Sequence, residues 1–144
     1  MNFKKINADL LDLIELRNQI AKVSYNAPEY DELEDEITDF EDTFNERYSK
    51  GIEEIAHKIH KQLLPSSEVL VSTAYVAKNY TPSVVNEDDY DVNPEQGVVF
   101  NENEGDKIRS LRLVLYPNPL KFVFISKKDI KIVWTADKPD EYNF

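Results

Sequence analysis

Apolar residues recur every three or four positions as far as Leu63 and every second position from Glu68 onward, which divides the chain into a helical part and a sheet part. Phe3, Ile6, Leu10, Leu13, Ile14, Ile20 and Ala21 form the stripe of a first helix, with Asn2 or Asn7 as its cap. Pro28 in "SYNAPEY" breaks that pattern. A second stripe runs through Leu33, Ile37, Phe40, Phe44, Tyr48, Ile52, Ile55, Ile59 and Leu63 until Pro65 stops it. Gly51 interrupts this stretch, and acids precede bases once on each side of it, as two successive helices would show. The stripe nevertheless keeps its phase across Gly51. The expectation is one long helix, continuous or kinked there, of roughly 50 Å at ~1.5 Å per residue.

Beyond Glu68, "EVLVSTAYVA", "GVVF", "KIRSLRLVLY", "LKFVFI" and "IKIVWT" read as strands, and the short links "PNP" and "SKKD" join the last three as an antiparallel meander. One face of those three carries Leu111, Leu113, Leu115, Leu120, Phe122, Phe124, Ile130, Ile132 and Trp134 and is expected in the core. The other sets Arg112, Lys121 and Lys131 among Val114, Val123 and Val133, a half-wet face of cationic stems over β-branched residues. The fold expected is α+β: two N-terminal helices packed on one face of a four- or five-stranded antiparallel β-meander. It is read as one domain over 1–144, with helices at about 2–64, the sheet at about 68–136 and an acidic loop at about 79–96.

Charge adds the feature that periodicity leaves out. With 28 acids against 17 Lys and Arg the formal charge is −11, which argues against nucleic acid and favours basic protein partners. The distribution is uneven: Glu29 to Glu46 holds ten acids without a Lys or Arg, whereas Lys107 to Lys138 holds eight Lys and Arg against Asp129 and Asp137. The absence of cysteine removes disulfides and thiolate chemistry, and no apolar run approaches the ~18 residues of a membrane span. A soluble cytoplasmic protein, monomer or homodimer, is expected.

Chemical motifs are few. Three scattered glycines cannot write a GxGxxG or Walker loop. The two histidines, His57 and His60, lie on the second helix, where Glu54 and His57 have a Glu-x-x-His spacing present in a single copy. "NEDDYDVNPEQG", 86–97, has carboxylates suited to a calcium loop, but counting from Asp89 puts Pro94 where such a loop needs glycine and Phe100 where it needs glutamate. No catalytic residue, metal site or cofactor is assigned.

Two functions lead, ahead of nucleic-acid binding through Arg109, Arg112, Lys121, Lys127, Lys128 and Lys131. The first is a non-enzymatic acidic protein-binding module (inhibitor, immunity-type neutraliser, adaptor or chaperone) that meets a basic partner through Glu87, Asp88, Asp89, Tyr90 and Asp91 of the loop and Asp31, Glu34 and Asp35 of the helix. The alternative is a small-ligand binder or enzyme with a cavity between the long helix and the sheet, lined by Tyr48, Tyr75, His57 or Trp134. A buried ionisable side chain beside Leu111, Phe122 and Trp134 would favour the second, and a dry core the first.

Overall fold

A computed structural model of the chain describes residues 1–65, 67–86, 88–92, 99–104, 107–126 and 130–144, with 99–104 and 107–110 described by their backbone alone. Two helices, α1 (Phe3–Ala21) and α2 (Pro28–Leu63), precede six strands. Asn2 caps α1 by accepting a hydrogen bond from the Lys5 amide at 3.2 Å, and Pro28 opens α2 where its missing N–H costs nothing. Helix α2 runs unbroken through Gly51. A Cβ at Gly51 would lie 2.2 Å from Met1 Cε, so glycine leaves room for that side chain at a helix-propensity cost of ~1 kcal/mol.

Strands β3 (Val99–Glu104), β4 (Lys107–Tyr116), β5 (Lys121–Ile125) and β6 (Ile130–Thr135) form one antiparallel sheet in sequential order. Inside the expected acidic loop, β1 (Thr81–Pro82) and β2 (Tyr90–Asp91) make a separate two-stranded pair. The helices pack on one face of the larger sheet, where Phe3 of α1 meets Trp134 edge-on at 5.4 Å and the core residues of both parts form one cluster.

Two sequence expectations are corrected. The stretch "EVLVSTAYVA" is not a strand: it holds a single 3-10 turn, Ser72–Tyr75, in otherwise irregular backbone. The core face of β6 is also shorter than alternation implies. A register shift at Phe122/Val123 pairs Trp134 with Phe122 but Ile132 with Val123, which makes Val133 the extra residue. Val133 and Trp134 are therefore both buried, while Ile130 and Ile132 turn to water at 73% and 47% exposure.

The second sheet face is drier than expected. Val114, Val123 and Ile125 are buried, and Lys121 is 8% exposed. At the Tyr116 end the cover comes from the 80–92 segment. Tyr80 meets Tyr116 and Tyr90 edge-on at 5.9 and 6.1 Å, and Lys121 Nζ pairs with Asp89 at 3.3 Å. Lys121 is thus held in the packing instead of serving as a wet stem.

Trp134→Ala should cost roughly 3–5 kcal/mol, as loss of a fully buried aromatic does, whereas Ile132→Ala should cost under about 1 kcal/mol. Urea unfolding of the two variants measures this, and equal losses would contradict the bulged register.

Candidate interaction surface

The irregular segment 67–80 lies between α2 and the sheet and pairs with no strand among the described residues, so its buried backbone groups need side-chain partners. Helix α2 supplies them from residues four apart on one face: Glu41, Asn45, Ser49 and Glu53. Asn45 Oδ1 accepts from Ser72 Oγ at 2.7 Å and from the Thr73 amide at 3.2 Å, and its Nδ2 donates to Thr73 Oγ1 at 2.9 Å. Ser49 Oγ accepts from the Ser72 amide at 3.0 Å and donates to Glu53 at 2.7 Å. Helix α1 completes the clamp. Arg17 donates to the Val76 and Ala77 carbonyls at 2.7 and 2.8 Å and pairs with Glu41 at 2.7 Å. Asn18 holds both the N–H and the C=O of Tyr80, at 3.0 and 2.9 Å, as a neighbouring strand would. The Tyr80 hydroxyl then donates to the Leu115 carbonyl of β4 at 2.7 Å.

One turn of this clamp contains a buried histidine. His60, 3% exposed, sets Nδ1 3.3 Å from the Ser67 carbonyl and Nε2 2.9 Å from the hydroxyl of Tyr75, which is fully buried. A carbonyl can only accept, so Nδ1 carries the proton and the Tyr75 hydroxyl donates to Nε2 while accepting from the Leu70 amide at 3.0 Å. Tyr75 in turn meets Phe122 edge-on at 5.4 Å. The buried ionisable side chain that would favour a ligand site is therefore present, but the hydrogen bonds of the pair hold the 67–75 backbone to α2. Burial lowers the His60 pKa, outweighing the raising effect of the Ser67 carbonyl, with the His57 charge lowering it further.

The eight candidate partner-binding residues divide between two elements. Asp31, Glu34 and Asp35 stand exposed in the first turns of α2, a part of the helix that has no buried residue before Phe44. Of the ten acids from Glu29 to Glu46, Glu41 alone is half-buried, and Arg17 claims it. The loop residues are more occupied. Asp89 is bound to Lys121 and accepts from the Tyr90 amide at 3.0 Å. Tyr90 is half-buried against Tyr80, and the Asp88 carbonyl accepts from Asn118 at 2.9 Å. Asp88 and Asp91 present exposed side chains, and Glu87 lies outside the described residues. Nearby, burial above all, then the Asp91 and Asp89 carboxylates, push the Tyr116 hydroxyl up to about 12.

The calcium-loop count from Asp89 runs into 93–98, outside the described residues. Among the described residues no three His, Asp or Glu side chains converge on a point where a metal could sit. Among them, too, no helix is long and apolar enough to cross a membrane. Two open grooves stand out among the described residues. One of about 920 Å³ separates the middle of α2 from the C-terminal residues and is lined by Glu54, His57 and Trp134 among others, without Tyr48 or Tyr75. The second, of about 620 Å³, lies beside the tip of the helical hairpin. Asn18, Asn45 and Ser49 escaped sequence reasoning because a polar residue on a helix reads as solvent-facing. For Asn45 and Ser49 the one signal was the four-residue spacing from Glu41 to Glu53; Asn18 had none.

No protein-family model, curated protein or solved structure matches the chain.

The lowered His60 pKa fixes a sign. The unfolded chain, with a histidine near pKa 6.5, binds a proton that the folded chain resists, so stability is fully present above that value and falls as pH drops through the folded pKa. Urea unfolding between pH 7.5 and 5.5 should show this loss, and His60→Gln should flatten it. An unchanged slope in the variant would assign the proton elsewhere.

Proposed function

We propose that the chain is a non-enzymatic acidic protein-binding module, acting as an inhibitor, neutraliser, adaptor or chaperone, and that it engages a basic protein surface with the acidic, solvent-exposed face of the first half of α2. The observation that carries this reading is the pairing of exposure with free charge. Over Pro28 to Thr43 the helix buries no residue, keeps eight acids exposed to water, and leaves Leu33, Ile37 and Phe40 half-exposed beneath them. Carboxylates in water contribute little to folding, so their density there is not explained by stability. They do create a field that draws a cationic surface before contact, with half-exposed apolar residues available to hold it. Asp88 and Asp91 add charge from the loop, whereas Asp89 and Tyr90 serve mainly to fasten the loop to the sheet.

A second reading rests on the larger groove, where Glu54 and His57 of α2 share a wall with Trp134. A small ligand with an aromatic or apolar body would fit that lining. It has fewer supports, because Glu53 on the same wall is bonded to Ser49.

The test uses a partner recovered from native extract at low salt and eluted by salt. Asp31→Asn, Glu34→Gln and Asp35→Asn together should slow association and flatten its salt dependence as the Debye length shrinks from ~10 Å at 0.1 M to ~3 Å at 1 M. The melting temperature should barely change, since all three side chains are exposed. Asp88→Asn with Asp91→Asn should have a smaller effect. If the helix variant associates as the parent does at both salt concentrations, the reading fails.

A further inference from the structure

Two neighbouring apolar side chains stand almost wholly in water, Val84 at 98% exposure and Val85 at 83%. They belong to the hairpin of β1 and β2. Thr81 pairs with Asp91 and Pro82 with Tyr90, and the Ser83 amide then donates to the Asp89 carbonyl at 2.9 Å, which leaves 84–88 as the connecting loop. Such tips ordinarily take Gly, Asn, Asp or Ser. A single exposed apolar residue is common, but an adjacent pair at a tip adds nothing to the core. The tip is also fixed in place. Ser83 Oγ accepts from the Val85 and Asn86 amides at 3.2 and 3.4 Å, and the Asp89 amide donates to the Asn86 carbonyl at 3.2 Å. Asn118 donates to the Asp88 carbonyl at 2.9 Å and is itself bonded twice to Asn7 of α1, at 2.7 and 3.1 Å. Tyr90 against Tyr80 and Asp89 against Lys121 fasten the base.

We propose that this hairpin tip is an anchor that seats Val84 and Val85 in an apolar pocket of a basic protein, with Arg or Lys on the rim of that pocket. The inference rests on the reading of the chain as a binder of basic proteins and adds where the partner is gripped. Charge complementarity selects the occupant, and the hairpin register puts the charge beside the valines. Asp88 stands exposed within the same 84–88 loop, and Asp91 stands exposed at its base opposite Thr81. Neither is in an ion pair of the described residues, and the sequence from 79 to 106 contains no Lys or Arg. Lys121, which reaches the hairpin from β5, is neutralised there by Asp89. Because hydrogen bonds already hold the loop, seating it costs little ordering entropy, and burial of the two valines goes into affinity. Other occupants fit less well. An anionic lipid surface repels Asp88 and Asp91, and a second copy of the chain carries the same formal charge of −11.

The probe is the protein that cross-links to the full chain carrying benzoylphenylalanine in place of Val85, irradiated in native extract at low salt, and then purified. Biolayer interferometry against the parent and variants measures its rates. The cross-linked protein should be basic. Val84→Ala and Val85→Ala should each weaken binding about 10-fold, the order expected for two buried methyl groups, with the loss in the dissociation rate. Val84→Thr with Val85→Thr keeps the shape of both side chains and should weaken binding as well. Asp88→Asn with Asp91→Asn should instead slow association. Melting temperatures should not move, since both valines are exposed. Absence of a cross-linked basic protein, or rates indifferent to the valine variants, would overturn the proposal. So would partition onto phosphatidylcholine vesicles, or a concentration-dependent dimer, that the valine variants abolish, because the tip would then belong to lipid or to a second copy. If the partner depends on Asp31, Glu34 and Asp35 but ignores the valines, the anchor alone falls. If it depends on the valines and ignores the helix acids, the anchor stands and the helix loses its role. Indifference to both removes the wider reading as well.

Discussion

The structure depends on how the backbone of 67–80 is satisfied. This segment sits between the helices and the sheet, where an unpaired amide or carbonyl costs about 1–3 kcal/mol, and among the described residues no strand pairs with it. Asn45 and Ser49 of α2, Arg17 and Asn18 of α1, and the His60–Tyr75 pair take the place of a strand. Each contact crosses between elements distant in sequence, so the clamp fixes the two helices to each other and to β4 through the Tyr80 hydroxyl. Removing one member strands its partners in the core, and the cost should exceed that of a single hydrogen bond.

The same clamp accounts for the shape of the surface. It uses the ladder face of α2 from Glu41 to His60, and the core takes the adjoining stripe from Phe44 to Ile59. The first turns of α2 bury no residue, and their acids stand in water. Acidity and exposure thus coincide: the part of the helix that buries no residue is the part that carries most of its acids. The loop acids fare differently because Lys121, on a strand buried on both faces, needs a counterion close by, and Asp89 supplies it.

Much of the fold was legible in the sequence. The two helices, the unbroken passage through Gly51 and the antiparallel order of the last strands follow from periodicity and short links, signals that depend on local spacing. Three things were hidden for physical reasons. "EVLVSTAYVA" alternates like a strand, yet its neighbours are helix side chains, and alternation cannot report what lies opposite. The β6 bulge moves one residue of register, which sends Ile130 and Ile132 to solvent without altering the composition of the strand. Lys121 looked like a wet stem because its partner lies in a loop 32 residues away. On the candidate surface, the exposure of Asp31, Glu34 and Asp35 agrees with a helix face free of apolar periodicity. The inward turn of Asp89 and Tyr90 could not be read from an acidic run.

Native-state hydrogen exchange followed residue by residue tests the clamp most directly. The Ser72, Thr73 and Tyr80 amides should be protected although they belong to no strand, because Ser49, Asn45 and Asn18 hold them. In Asn45→Ala the Thr73 amide should lose protection first, ahead of the β4–β5 ladder, with Tyr80 less affected. Fast exchange of Ser72 and Thr73 in the parent, or equal loss across β4 and β5 in the variant, would contradict a segment held by helix side chains.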